Sequence, residues 1–319
     1  MKLERNFVNG RFMEPVSDRL TAILNPATKA VVGHVHNASQ KEALAAVEHA
    51  KAAQRAWRVM PAYERGAHMQ RLVDAIEQAA PQIGATHALE SGKAVTDTTN
   101  EAIYAAQITR YHAEWARHIE GEVIPSDTPD ENLVLHREPI GVVARLIPFN
   151  FPIYTLMRKI APALIAGNTV IVRPSNNTPL SAFELARAVE RAALPAGVVN
   201  ILAMDHATAE AVCTHPAVGM ITLTGNVNAG RKVLDYCKAN IAKPSLELGG
   251  KTPAIIEPDA DLKKAARELV APKLTHTGQL CTAIKRVYAH ESILTMNSSR
   301  CSSRKFWRRK SATARKTPR

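Results

Sequence analysis

The chain is 319 residues long, enough for more than one domain, and its 46% hydrophobic and 22% charged residues are globular proportions. Its net charge of +12 is local: residues 294–319 hold nine Lys/Arg and no Asp or Glu, leaving 32 basic against 29 acidic residues elsewhere, which excludes a basic nucleic-acid-binding body. Four cysteines without Cys-x-x-Cys spacing exclude a disulfide framework, and the N-terminus lacks the apolar core of a signal peptide, so a reducing, cytoplasmic setting is expected.

Residues 6–35 carry turn signals at Asn9-Gly10 and Asn25-Pro26 between short apolar runs, predicting a few strands. Three helices follow. The first starts at Ser39, an N-cap with Glu42 three residues on, and runs to Trp57. The second covers about 62–80 and the third about 97–119, with apolar stripes that read as packing faces. Residues 120–138 predict a hairpin with a polar loop, either a contact between subunits or a solvated arm. From residue 140, strands at about 141–147, 169–173, 198–202, 219–223 and 244–248 alternate with helices at about 153–166, 179–192, 206–214 and 227–239. That alternation predicts a doubly wound parallel sheet. A strand near 252–256, a helix near 260–275 and a strand near 286–290 begin a second α/β unit. Residues 294–319, rich in Ser, Arg and Lys without amphipathic spacing, predict disorder. The longest apolar stretch, Ile160–Val172, is broken by Pro162, Gly167 and Asn168 and is too short to span a bilayer.

Ligands of a doubly wound sheet bind at the carboxyl ends of its strands. Three polar turns fall there: Phe149-Asn150, Arg173-Pro-Ser-Asn176 and Thr224-Gly-Asn226. Asn150, framed by Pro148 and Pro152, either aims a rigid amide at a developing oxyanion or bonds its own backbone in a tight turn. Gly225 and Gly230 bracket the start of a helix whose free N–H groups favour a pyrophosphate; a plain strand-to-helix turn is the other reading. That run lacks the Lys-Ser/Thr of a P-loop, and Gly-x-Gly and Gly-x-Ser-x-Gly are absent from the chain. The histidines are scattered and His-Glu-x-x-His is missing, so no metal site is predicted. The reactive pair is Glu247, on an apolar strand beside Gly249-Gly250, and Cys281, 34 residues on. A thiol can form a covalent intermediate that a carboxylate-activated water then releases; a small buried hydrophobe is the alternative reading of such a cysteine.

Read in order, Pro-Phe-Asn-Phe-Pro (148–152), Arg-Pro-Ser-Asn-Asn-Thr-Pro (173–179), Leu-Pro-Ala-Gly-Val-Val-Asn (194–200), Leu-Thr-Gly-Asn-Val-Asn-Ala-Gly (223–230), Leu-Glu-Leu-Gly-Gly-Lys (246–251) and Gly-Gln-Leu-Cys (278–281) resemble the NAD(P)-dependent aldehyde dehydrogenase superfamily. The resemblance runs from about residue 6 to 293. It implies that family's α/β fold: an NAD(P)-binding domain from 1–119 and 139–248, an oligomerisation hairpin at 120–138 and part of a catalytic domain at 249–293. It also implies oxidation of a small aldehyde to its acid with NAD or NADP. Cys281 would be the nucleophile, the Asn150 side chain and the Cys281 backbone N–H would hold the oxyanion, and Glu247 would activate water. Lys159 matches a family lysine near the active centre. The implied cofactor contacts are Pro148, Phe149, Arg173, Ser175, Asn176, Thr224, Gly225, Asn226, Gly230, Leu248 and Gly249. Segments 114–122 and 126–132 look most like lactaldehyde and glycolaldehyde dehydrogenases.

The departures carry their own expectations. The family usually has Lys where Arg173 stands and often Glu where Asn176 stands, a Glu that bonds the ribose hydroxyls and repels a 2′-phosphate. With Asn176 that repulsion is gone, so relaxed NAD/NADP preference is expected. Phe149 replaces the usual Trp, and Asn226 a common Ser. Near Ile293 the motifs give out before the family's Glu-x-Phe-Gly-Pro-type motif, and the basic tail reads as wrong-frame translation or a degraded gene. A C-terminally shortened member with doubtful oligomerisation is therefore expected, the alternative being an inactive remnant that at most binds nucleotide. The tail alone would serve a third reading, non-specific polyanion binding.

Overall fold

A short strand, β1 (Lys2–Glu4), precedes the Asn9-Gly10 turn, where φ is 53° and 80°. Those positive values are what a two-residue hairpin turn needs, and the turn joins β2 (Phe7–Val8) to β3 (Arg11–Phe12) in antiparallel register. In this computed structural model residues 2–16 and 18–293 are described; the 294–319 tail, for which disorder is expected, lies outside them. The chain divides into two compact units, one ending at Glu247 and the other beginning at Leu248.

In the first unit β4 (Leu20–Leu24) and β5 (Val31–His36) form an antiparallel pair to which β1 adds in parallel. Helix α1 (Gln40–Val59) starts as its sequence predicts: the Ser39 hydroxyl accepts from Glu42 N–H at 3.3 Å, and the Glu42 carboxylate accepts from Ser39 N–H at 2.7 Å. Helix α2 (Ala62–Ser91) overruns its predicted end by eleven residues, passing straight through Pro81. Its buried face continues across the proline, from Ile76 and Ala80 to Ile83, Gly84, His87 and Glu90, so packing overrides the lost backbone bond. Gly84 lets α3 (Val95–Glu114) cross closely, since a Cβ there would sit 2.7 Å from the Thr99 Cα. The third helix ends five residues before its predicted limit and passes into one 3-10 turn at Trp115–Arg117. The hairpin β6 (Glu122–Pro125) and β7 (Asn132–Leu135) follows, with every residue of both strands exposed.

The rest of this unit alternates β8 (Val142–Leu146), α4 (Pro152–Ile165), β9 (Thr169–Arg173), α5 (Leu180–Arg191), β10 (Val199–Ile201), α6 (His206–Cys213), β11 (Val218–Thr224), α7 (Val227–Cys237) and β12 (Lys243–Glu247). The five strands are parallel in the order β12-β11-β8-β9-β10, and β2 and β3 extend the β10 edge. Strands β8 to β10 are almost wholly buried, as helices on both faces require. Trp57, Met69, Leu72, Ile76, Leu156, Ile160 and Phe183 belong to one core cluster, and the Trp57 indole N–H donates to the Leu164 carbonyl at 3.0 Å.

In the second unit β13 (Pro253–Ile256) and β14 (Arg286–Ala289) pair in parallel, linked by α8 (Leu262–Leu274), whose cap Asp261 accepts from Lys263 and Lys264 N–H. This is the predicted strand–helix–strand unit. No helix among the described residues is long and apolar enough to cross a membrane.

Candidate active site

The sheet order places the switch point between β8 and β11: from β8 the chain winds outward to β9 and β10, then returns to the other side for β11 and β12. The crevice at the carboxyl ends of such a pair is where doubly wound sheets take ligands. The three polar turns and Glu247 all fall on that edge. Pro148–Asn150 follow β8, Arg173–Asn176 end β9, Thr224–Asn226 end β11 and Glu247 ends β12.

Each turn is held by its own sequence. The Asn150 side-chain Oδ1 accepts from Phe151 N–H at 3.1 Å, so the backbone-bonding reading of this residue describes one end of its amide. The Arg173 guanidinium donates from Nε to the Met204 carbonyl at 3.0 Å and from Nη2 to Asn176 Oδ1 at 3.3 Å. Ser175 Oγ accepts from Asn177 N–H, and the Thr178 hydroxyl donates to the Phe149 carbonyl at 3.2 Å, tying the β9 turn to the β8 turn. Asn226 caps α7, accepting from Ala229 N–H at 2.8 Å, with Gly230 buried in the first turn. Gly225 N–H donates to the Glu247 carbonyl at 3.0 Å, which holds the ends of β11 and β12 together. A helix N-terminus beside a bare glycine fits the phosphates of a dinucleotide.

Lys159, on α4, is 8% exposed. Burial, with the Arg145 and Arg158 charges, pulls its ammonium down to about 8 against the opposing attraction of Glu247. Glu247 is half-exposed and pairs with Arg158 at 3.9 Å.

A buried ionic cluster behind these turns has no counterpart in the sequence reading. Glu101 Oε1 accepts from Ile153 N–H (3.0 Å) and Tyr154 N–H (3.2 Å), capping α4 just beyond Asn150. Glu90 accepts from Leu180 N–H (2.7 Å), Ser181 N–H (3.0 Å) and the Ser181 hydroxyl, capping α5 just beyond the β9 turn. His87 lies between the two carboxylates, with Nε2 3.1 Å from Glu101 and Nδ1 3.8 Å from Glu90. Lys93 donates to Glu101 at 2.7 Å and stands 3.7 Å over the Phe151 ring. Burial alone would raise the Glu101 pKa, but the His87 hydrogen bond and the charges of His87 and Lys93 hold it below the usual carboxylate range. Burial works against His87 protonation, yet its hydrogen bond to Glu101 and the Glu90 carboxylate nearby leave its pKa raised. Two glutamates thus seat α4 and α5, the helices that follow the Asn150 turn and the Arg173–Asn176 turn.

Cys281, Leu248 and Gly249 belong to the second unit. Cys281 is exposed and reduced, whereas Cys213 and Cys237 are buried; burial pushes the Cys213 thiol up to about 12, which leaves it unreactive. The chain reaches Cys281 through left-handed backbone at His276, Thr277 and Gly278 (φ 45°, 53° and 75°). Within this unit Gly250 lies against the Cys281 backbone, where a Cβ would meet the Cys281 carbonyl oxygen at 3.4 Å. Among the described residues no three His, Cys, Asp or Glu are grouped as metal ligands.

The family profile described as "Aldehyde dehydrogenase family" matches residues 12–304, past Ile293, where the recognisable motifs give out. Lactaldehyde dehydrogenase of Escherichia coli strain K12 is 37% identical over 288 residues, which is 90% of this chain and 60% of that enzyme. A crystal structure of lactaldehyde dehydrogenase from Escherichia coli superposes with a TM-score of 0.91 at 34% identity, covering 96% of this chain and 64% of that one. The NADP-dependent glyceraldehyde-3-phosphate dehydrogenase of Bacillus halodurans C-125, complexed with NADP, gives 0.90 at 31% identity, covering 95% and 64%. This chain therefore spans about 60% of the length of the curated relatives it matches. With its doubly wound sheet and its motif-bearing turns on one edge, it belongs to the aldehyde dehydrogenase family.

Proposed function

We propose that this chain oxidises a small aldehyde to the corresponding acid with NAD or NADP. The observation that carries the reading is the gathering of the Asn150, Arg173–Asn176, Thr224–Asn226 and Glu247 segments on the β8/β11 switch-point edge, with buried Lys159 close to Glu247. Cys281 adds through sulfur to the aldehyde carbon, giving a thiohemiacetal whose oxyanion is held by the Asn150 amide and the Cys281 N–H. Bound NAD or NADP supplies the hydride acceptor, after which the substrate is a thioester on Cys281. Glu247 takes a proton from water, which attacks the thioester and returns the free thiol. Lys159, with its pKa near 8, exchanges a proton close to neutral pH. A small hydroxyaldehyde such as lactaldehyde is the substrate class favoured by the Escherichia coli relative. The hairpin, which exposes Val123, Ile124, Leu133, Val134 and Leu135, is the surface for a second copy of the chain.

Incubation with lactaldehyde or glycolaldehyde and either cofactor tests the reading. Reduced cofactor at 340 nm and a carboxylate product support it; nucleotide binding without any turnover refutes it and leaves a nucleotide-binding remnant.

The β9 turn makes a second prediction. Arg173 and Asn176 are bonded to each other at 3.3 Å and present no carboxylate to a 2′-phosphate. NADP should be used with a kcat/KM equal to or better than that of NAD. Asn176→Glu should shift preference toward NAD by roughly tenfold or more, the effect of about 1.4 kcal/mol from a charge opposing the phosphate. Equal preference in both proteins would remove the turn from cofactor selection.

A further inference from the structure

Arg145 stands inside β8, one residue before its end, and is only 7% exposed. Its register partners are Val172 on β9 and Thr222 on β11, so these three side chains share one face of the sheet. Val172 offers no polar group. Among the described residues Arg145 Nε and Thr222 Oγ1 have no hydrogen-bond partner, although Thr222 is 1% exposed. Lys159, 8% exposed, is close enough for Arg145 to act on its charge. Among the described residues no carboxylate lies within ion-pair distance of Arg145 or Lys159; Glu247, the acidic influence on Lys159, is paired with Arg158 instead.

A guanidinium keeps its proton even when buried, and a buried charge without a counter-charge is strongly unfavourable. Here a second cation makes the imbalance worse. The groups on offer can all donate: the Arg145 guanidinium N–H and the Thr222 hydroxyl on this face, and the Lys159 ammonium from α4. We propose that Arg145, Thr222 and Lys159 form a buried seat for one small carboxylate. The charge count favours a monoanion. Glu247 and Arg158 cancel, Arg145 contributes one positive charge, and Lys159 is poised to lose its own. Two carboxylate oxygens shared among three donors satisfy the seat. The seat does not depend on the proposed oxidation: of its three residues only Lys159 has a part in that scheme, and there it exchanges a proton and holds no substrate.

Thermal unfolding of the full chain in acetate, glyoxylate, phosphate and chloride at constant ionic strength tests it. Acetate should raise the Tm of the wild type saturably over chloride, and Arg145→Leu should abolish that rise. In chloride Arg145→Leu should unfold at a higher temperature than the wild type, because it removes an unpaired buried charge; in saturating acetate the order should reverse. A rise with glyoxylate but not acetate also supports the seat and assigns it to the carboxylate of an aldehyde-bearing acid. A rise equal in phosphate, no rise in any carboxylate, or an Arg145→Leu protein less stable in chloride as well as in acetate would overturn the proposal, the last by showing a partner within the protein. Should Arg145→Leu fail to fold, Thr222→Val, which keeps the shape and removes the hydroxyl, should weaken acetate binding by roughly tenfold, the loss of one charge-assisted bond; unchanged binding overturns the seat.

Discussion

Glu101→Ala should lower the stability of the first unit by about 3–5 kcal/mol, the cost of breaking a buried ion pair from one side. Lys93 and His87 would be left facing each other without their shared carboxylate, and two N–H groups of α4 would lose their acceptor. For a unit of this size each kcal/mol moves Tm by roughly 2–4 °C, so calorimetry should show a fall of roughly 6–20 °C. Glu101→Gln separates the two roles. Its amide oxygen can still accept from Ile153 and Tyr154, while its charge is gone, so it should fall between wild type and Glu101→Ala. Equal losses for the two would assign the whole effect to charge.

The same cluster fixes a pH window. The Glu101 pKa is depressed, so its contribution is present above the ordinary carboxylate value and lost as pH falls through the folded one. The His87 pKa is raised, so its contribution is present below the ordinary imidazole value near 6.5 and lost as pH rises through the folded one. Stability from this pair should therefore peak in mildly acidic solution, between the ordinary carboxylate and imidazole values. In Glu101→Gln the alkaline loss should begin at lower pH, because His87 no longer has that partner.

How much of this was legible in the sequence follows the range of the interactions. The Asn9-Gly10 hairpin, the Ser39–Glu42 cap and the strand–helix alternation after residue 140 are local, and each folds where its residues call for it. Strand-end turns rich in Asn, Ser and Gly pointed to the ligand edge because that edge is a property of topology. Helix α2 outran its predicted end because Pro81 is a local signal that a packed face overrode. Glu90, His87, Lys93 and Glu101 carry no motif of their own, and the partners of the two glutamates on α4 and α5 lie 52–91 residues away. Nothing local foretells that pairing. Arg145 did leave a signal, a lone charge in the buried run Val142–Leu146, where fully covered parallel strands are nearly continuous in apolar residues.

Cys281→Ala should abolish aldehyde-dependent reduction of the cofactor, a loss on the order of 10⁴-fold or more, because the covalent route disappears with its nucleophile. Glu247→Gln should behave differently. Sulfur can still add and hydride can still leave, but an amide cannot take the proton of the hydrolytic water. A burst of one equivalent of reduced cofactor per active chain should appear, followed by a stall, and intact-mass measurement should find the acyl group on the protein at Cys281. Both side chains are exposed, and the Glu247–Arg158 contact at 3.9 Å joins two half-exposed groups. A pair of that kind contributes about 0–1 kcal/mol, so neither substitution should shift Tm by more than a few degrees. Loss of activity with the fold intact then reads on chemistry. A burst from Cys281→Ala would show that another group attacks the aldehyde, and steady turnover by Glu247→Gln would move the general base elsewhere, with Lys159 the first residue to substitute next.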